Sequence, residues 1–419
     1  MTSERYLEPS EAVLMRSARG VVQRASLRGP LDMRALGRAY EALLAGDAAL
    51  RGVVRRDARG FLLTADGARR PAIRFAPNPA EYEQALMAPL DPAAALVRLV
   101  VGREGDTALV GFVVHHAVAD GRAAAALFHL LWAHYTAAVT GAEPPAPASA
   151  GLRPAAESLL AGAFNPDEID EAVRSYRGRE RGFPAGPPRE PGEPGEPGGI
   201  AVRRLLLDRG ATRRIAESAR AAGTSVHAVL CAALLRASHG TRSQDAAGRS
   251  VPMTGWSVVD LRPRVAPPVD ALGATNFTSG ARCSVRVGPD ADVLRVARAV
   301  KAQLDADLAA RVPQRLALRL GEVVGAAFTA EDPPRFLLTN WGRTPDLPMP
   351  EGTDVTDLRG YVPQPLPVPV FVAHTYAGRL SVELVLWRLA LPDGAAQALL
   401  DRLHAELRSV PVPRGENTY

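Results

Sequence analysis

Nine residues, Val113 to Gly121 (VVHHAVADG), constrain this 419-residue chain more than any other stretch. An apolar run, Ala108 to Val114 with only Gly111 interrupting it, delivers two adjacent histidines. Asp120-Gly121 follows, and an Ala/Leu-rich helical pattern begins at once over Arg122 to Val139. The order predicts a strand ending in the histidine pair, then a helix capped by Asp120, whose carboxylate suits the free amides of a first turn. Neighbouring side chains on an extended strand point to opposite faces. His115 and His116 therefore cannot both face one cavity: one is expected to be architectural, the other free for chemistry. A neutral imidazole accepts a proton near neutral pH. Gly121 is expected to permit a tight turn without a Cβ clash.

Hairpin and helix signals surround this core. Leu96 to Gly102 and Thr107 to Val114 flank a turn at Arg103 to Asp106, and Val21 to Leu27 reads as a further strand. Ser10-Glu11 opens a short helix, and Leu31 to Leu44 carries apolar residues at helical spacing. Beyond residue 199 the pattern predicts a strand over Ile200 to Leu207 and a helix over Val226 to Ser238 behind Thr224-Ser225. Strands near Trp256 to Asp260 and Ala281 to Val287 precede a long helix near Ala291 to Ala310. A hairpin, Phe371 to Tyr376 and Leu380 to Trp387, precedes a closing helix over Ala395 to Leu407.

Phe183 to Gly199, FPAGPPREPGEPGEPGG, is the one clear linker, since Pro lacks a donor and Gly loses too much entropy to hold helix or strand. It divides the chain into an N-terminal part (1–182), the linker (183–199) and a C-terminal part (200–419).

Hydrophobic content of 47% and charged content of 23% are those of a globular protein. No apolar run approaches the roughly 20 residues of a membrane span, and the first residues lack a signal peptide's apolar core, so a cytoplasmic protein is expected. Lys301 is the sole lysine, and the arginines are scattered rather than interleaved with aromatics, which argues against nucleic-acid binding. The sole lysine also leaves no phosphate-cradling Gly-x-x-x-x-Gly-Lys loop. Cys231 and Cys283 read as reduced, buried thiols, neither lying near a histidine in sequence, and no Gly-x-Ser-x-Gly elbow is present. A strand pair of histidines splays potential ligands apart, so no metal is expected. His374, on a predicted strand among apolar residues, is expected to be structural.

The pattern His-His-x-x-x-Asp-Gly resembles the active-site signature of the chloramphenicol-acetyltransferase-like acyltransferases. That superfamily includes nonribosomal-peptide condensation domains, polyketide-associated acyltransferases and plant acyl-CoA transferases. Further segments agree. Ser257 to Arg264 (SVVDLRPR) resembles the Val-Asp-x-Arg stretch, and Leu272-Gly273 with Thr275-Asn276-Phe277 resembles the Gly-x-x-x-Asn segment. Leu338 to Gly342 (LTNWG) resembles the Ser/Thr-Asn-x-Gly segment of the polyketide-associated members and departs from the plant Asp-Phe-Gly-Trp-Gly. Pro9-Ser10-Glu11, Gly29 to Asp32 and Ala49 to Arg51 fit as well, so the likeness runs from about residue 6 to residue 390.

The resemblance implies an α/β (α+β) fold of two chloramphenicol-acetyltransferase-like subdomains, each a mixed sheet with helices, meeting at a central tunnel. It makes His116 the catalytic base, with Asp120 and Gly121 in the motif and Asp120 turned away toward Arg262. His115 is then structural, and Asn276, Thr339, Asn340 and Trp341 are candidates for substrate or oxyanion contacts. It implies no resident cofactor. An acyl-CoA or phosphopantetheinyl carrier-protein thioester is the co-substrate, and an alcohol or amine is the acceptor. A site between two halves of one chain needs no partner copy, so a monomer is expected. Three other readings stay open at this point: a stand-alone condensation enzyme forming an amide, a scaffold repurposed for another reaction, and a non-catalytic binding module.

Overall fold

A computed structural model describes residues 4–65, 71–147, 151–178, 199–239, 250–272, 275–329, 335–388 and 391–412. The linker over 183–198 and Gly273 lie outside the described residues. In chain order, the first part carries β1 (Glu4–Tyr6), α1 (Pro9–Ala12), β2 (Gly20–Arg28), α2 (Met33–Ala45), β3 (Gly52–Arg56), β4 (Phe61–Ala65) and β5 (Ile73–Phe75). Then come α3 (Pro79–Met87), β6 (Val97–Glu104), β7 (Thr107–His115), α4 (Gly121–Thr140), α5 (Ala156–Leu160) and α6 (Pro166–Gly178). The second part begins with β8 (Ile200–Leu206), α7 (Arg209–Ala221), α8 (Val226–His239), β9 (Val251–Asp260), β10 (Thr278–Val287) and α9 (Val293–Ala309). It ends with α10 (Val312–Ala317), α11 (Leu320–Thr329), β11 (Leu337–Arg343), β12 (Asp354–Tyr361), β13 (Val370–Tyr376), β14 (Arg379–Trp387) and α12 (Asp393–Arg408).

Two large sheets organise the chain, one of order β12-β2-β7-β6-β5 and one of order β10-β9-β11-β13-β14-β8, and β1-β4-β3 form a small third. The histidine strand β7 is central: β2 pairs with one edge, Gly20 opposite His115, and β6 pairs with the other, Val97 opposite Val114. That explains its near-continuous apolar run, since a strand covered on both faces has no solvent side to alternate with. The β6–β7 turn is tighter than expected. Glu104 still pairs with Thr107, so only Gly105 and Asp106 reverse the chain, with Gly105 at φ +56°. The β13–β14 turn, Ala377-Gly378, has φ of 47° and 75°, the primed geometry that matches the twist of its strands.

Helices cover the sheets where their apolar stripes demand it. Asp32 caps α2 through the amides of Arg34 and Ala35, and Leu36, Ala39, Tyr40, Leu43 and Leu44 form its buried stripe. On the second sheet α8, α9 and α12 share a core with Leu338, Phe371, Val382 and Leu384. The opposite face of that sheet meets the first lobe: Trp341, Val370, Val372 and Val385 lie in the first lobe's core cluster.

The lobes are not simply the two ends of the sequence. Strand β12 crosses to pair antiparallel with β2, Leu358 opposite Ala25, and becomes an edge of the first sheet. Conversely, α5 and α6 pack with second-lobe residues, Leu160 beside Leu261 and Phe277, and Tyr176 against Trp256 at 5.7 Å. In the second sheet β9 and β11 pair only at Trp256–Leu337 and Ser257–Leu338 and then diverge. The first turn of α4 touches both: Arg122 reaches Asp260 on β9, and Gly121 lies against Trp341 on β11. Among the described residues, no single helix is long and apolar enough to cross a membrane.

Candidate active site

Strand β7 ends at His115, so the two histidines are separated by the strand end rather than by pleat alone. His115 is fully buried, its Nδ1 accepts the Ala117 amide at 3.2 Å, and its Nε2 therefore carries the proton. Burial, with a smaller effect of His116, lowers its pKa to about 4, so it stays neutral and braces the turn.

His116 begins the turn and is only partly buried. Its Nδ1 lies 3.1 Å from the Ala119 carbonyl oxygen. A carbonyl only accepts, so Nδ1 must donate, which assigns the neutral ring's lone pair to Nε2. Burial lowers the His116 pKa, opposed by its backbone contacts and the Asp120 charge. The ring is thus an unprotonated base at neutral pH.

Asn276 stands beside it. Its Oδ1 accepts from the Thr278 amide at 3.2 Å and hydroxyl at 2.6 Å, which fixes the amide's orientation and turns Nδ2 toward His116. Nδ2 is 3.2 Å from the His116 carbonyl oxygen and 3.3 Å from Nδ1. Because Nδ1 already carries a hydrogen, the carbonyl is the acceptor and the amide's positive edge merely faces the ring.

Asp120 is a junction rather than a reagent. Oδ1 accepts the Arg122 and Ala123 amides at 3.0 Å each, capping α4 as expected. Oδ2 accepts Arg262 Nη1 at 2.6 Å and the Phe277 amide at 2.9 Å. Both side chains of the ion pair are nearly fully buried, at 2% and 4% exposed. Burial by itself would raise the Asp120 pKa, but Arg262 and the amides outweigh it and hold the carboxyl below its usual range. Arg262 also donates from Nη2 to the Thr275 carbonyl at 3.2 Å.

Gly121 is required for a different reason from the one expected. A Cβ there would stand 2.1 Å from Trp341 Nε1 and Cε2, so close approach, not a turn, excludes other residues. Trp341 is gripped on its other edge by Gly360, where a Cβ would lie 2.1 Å from Cζ3, and it stacks on His374 at 6.4 Å. His374 is buried, with Nε2 3.2 Å from the Leu358 carbonyl oxygen, a structural histidine as expected. Asn340 Oδ1 accepts the Gly342 amide at 2.9 Å, and Thr339 pairs with Val372 in the sheet. Of the four contact candidates, Asn276 alone hydrogen-bonds His116 among the described residues.

One sequence reading is corrected. Cys231 does meet a histidine: His227, four residues earlier on α8, places Nε2 3.6 Å from Cys231 Sγ and 2.9 Å from Ser257 Oγ. The i, i+4 spacing on one helix face was the available signal. Contact with Cys283 and burial push the Cys231 thiol well above its ordinary value, the reverse of what activates a nucleophile. Two residues whose roles the motif reading did not assign, Glu11 and Thr275, join the site: Thr275 Oγ1 donates to Glu11 Oε1 at 2.5 Å.

Comparison with known proteins finds relatives that span most of the chain. Residues 196–385 match the family model described as the phthiocerol/phthiodiolone dimycocerosyl transferase C-terminus. The phthiocerol/phthiodiolone dimycocerosyl transferase of Mycobacterium leprae is 30% identical over 400 residues, covering 90% of this chain and 91% of the relative. The solved structure of polyketide synthase associated protein 5 from Mycobacterium tuberculosis superposes with a TM-score of 0.80 at 26% identity, covering 97% of this chain and 98% of that one. The first condensation domain of the CDA synthetase shares the fold, with a TM-score of 0.73 at 18% identity and coverage of 98% and 97%. The chain thus belongs to the polyketide-associated acyltransferases, with the phthiocerol/phthiodiolone dimycocerosyl transferases, inside the chloramphenicol-acetyltransferase-like condensation superfamily, and is an acyltransferase.

Proposed function

We propose that the enzyme transfers an acyl group from a thioester, of CoA or of a carrier protein's phosphopantetheine, to a hydroxyl of a lipid or natural-product alcohol. His116 Nε2 is the general base. The observation that carries this reading is the Ala119 carbonyl on Nδ1, which leaves the Nε2 lone pair available on an imidazole kept neutral by burial. The acceptor's O–H proton passes to Nε2 as its oxygen attacks the thioester carbonyl. The tetrahedral oxyanion collapses, the C–S bond breaks, and the imidazolium returns its proton to the departing thiolate. Asn276 is the favoured oxyanion or substrate donor because it stands against the base; Thr339, Asn340, Trp341 and the Gly121 amide are the alternatives. Asp120 and Arg262 hold the loop that carries His116. Relatives named for moving a dimycocerosyl group onto phthiocerol or phthiodiolone support a long acyl chain and a lipid alcohol over an amine.

The test is His116→Ala with a panel of acyl thioesters and long-chain alcohols, read by product mass. Turnover should fall by about 10²–10⁴-fold, the usual worth of a general base, while the melting temperature holds. Wild-type turnover in that variant overturns the assignment. Because burial lowers His116 below 6.5, the acidic limb of the wild-type rate profile should lie below that pH, activity being lost as pH falls and the base protonates.

A further inference from the structure

Asn276 is held against His116, yet it sits on a loop between β9 and β10 with no regular ladder of its own. Thr278 orients its side-chain amide, and the residue before Asn276 helps to set where its backbone stands. Thr275 is fully buried and gripped from three sides: its carbonyl accepts Arg262 Nη2 at 3.2 Å, its amide donates to the Pro154 carbonyl at 3.5 Å, and its hydroxyl donates to Glu11 Oε1 at 2.5 Å. Glu11 lies on α1, 264 residues away, and is itself fully buried. Its carboxylate is held by both Arg5 terminal nitrogens at 2.7 Å and by the Glu8 amide at 3.1 Å. Neighbouring Ser10 is anchored in turn by Glu157, which takes its amide at 2.7 Å and its hydroxyl at 2.8 Å. The carboxylate is therefore a rigid, charge-balanced post whose one hydrogen bond to the active-site loop, among the described residues, is from Thr275 Oγ1.

We propose that Glu11 and Thr275 are positioning residues for acyl transfer, the Glu11–Thr275 hydrogen bond setting where the Asn276 amide stands against His116. This rests on His116 being the base. Arg262 restrains the Thr275 carbonyl and the Pro154 carbonyl takes the Thr275 amide at 3.5 Å, so deleting the hydroxyl, which reaches Glu11 at 2.5 Å and the Pro154 carbonyl at 3.4 Å, leaves the Thr275–Asn276 peptide on backbone anchors alone and frees it to shift. A rotation of about 1 Å at Asn276 withdraws Nδ2 from the His116 carbonyl, and a misplacement of that size can cost about 10²-fold in rate. It also removes the amide's positive edge from beside the ring. That edge disfavours the imidazolium, so its loss raises the His116 pKa, and the acidic limb of the rate profile moves to higher pH.

The experiment compares Thr275→Val, which replaces the hydroxyl with a methyl of similar size, with Thr275→Ser, which keeps the donor. Rates are measured from acidic to neutral pH beside His116→Ala, using a long-chain acyl thioester and a long-chain primary alcohol. Thr275→Val should lower kcat by about tenfold or more, leave KM for the thioester within about twofold, and shift the acidic limb upward. Thr275→Ser should restore both kcat and the limb. If Thr275→Val does not fold, Thr275→Ala makes the same deletion without forcing a methyl against the Glu11 carboxylate. A purely structural contact would lower the melting temperature and leave the limb in place, which overturns the proposal, as does wild-type kcat or a Thr275→Ser limb as displaced as that of Thr275→Val. Wild-type turnover in His116→Ala instead removes the base itself, so the two failures are told apart.

Discussion

The lobes are joined along two seams of opposite chemistry. One is apolar at its centre, where Trp341, Val370, Val372 and Val385 enter the first lobe's core and Ile200, Val202 and Leu337 pack against it. The other is polar: Asp120 with Arg262, Arg122 with Asp260, and Thr275 with Glu11. Apolar area stabilises without direction, so the first seam tolerates small shifts. A buried charge is stable only against its partner in good geometry, so the second fixes position at the cost of desolvating both groups. The directional bonds converge on Asp120 and Asn276 beside His116, the proposed base, and the apolar seam meets that turn through Trp341 against Gly121.

Breaking the polar seam should give the largest stability effect. Arg262→Ala strands the Asp120 carboxylate in the interior, a change worth about 3–5 kcal/mol, and should lower rate as well. Urea unfolding across pH sharpens the test. The folded Asp120 pKa is depressed, so its contribution is present above the unfolded value near 3.8 and is lost as pH falls through the folded value. The wild type should therefore weaken on acidification in a way that Arg262→Ala does not. Parallel pH curves would show that the pair contributes no such linkage.

A smaller effect comes where the seams touch. Trp341 lies between Gly121, at the start of α4, and Gly360, on β12. Alanine at either position drives a Cβ into the indole, an overpacking worth about 1–3 kcal/mol. Only Gly121→Ala displaces the turn that carries Asp120 and His116. Both variants should melt lower by similar amounts, but kcat should fall further in Gly121→Ala. Equal kcat losses would mean that the indole, not the α4 turn, transmits the effect.

What the sequence disclosed follows the reach of its signals. The β7–α4 unit was legible because strand, cap and helix lie within about thirty contiguous residues whose periodicity is local. The Asp120–Arg262 pair was reached only through the family motif, since nothing local ties positions 142 apart. Strand β12 was missed: DVTDLRGY alternates weakly, and its partner β2 lies more than 320 residues away, so no hairpin spacing announces it. The reason for Gly121 was also hidden, because a glycine kept for a neighbour's ring looks the same in sequence as one kept for a turn. Glu11 was visible as a helix opener, while its grip on Thr275 is purely tertiary.

The weakest contact of the comparison is also the one that isolates it. At the edge of the apolar seam, Arg204 Nη1 bonds both Asp357 oxygens at 2.8 Å, and Arg204 also lies 3.3 Å from Glu383. Glu383 is fully buried, but Arg359 holds it independently at 3.1 and 2.7 Å, so removing Arg204 leaves no buried charge alone. Arg204 and Asp357 keep 18% and 33% of their side-chain surface exposed, which screens their attraction. Arg204→Ala should therefore cost no more than about 1 kcal/mol, far less than Arg262→Ala although both delete an interlobe guanidinium. Its kcat and pH profile should match the wild type, because none of its partners touches the His116 turn. A kcat loss comparable to that of Arg262→Ala would show that the apolar seam also sets the geometry of the proposed base, and the division of labour between the seams would fail.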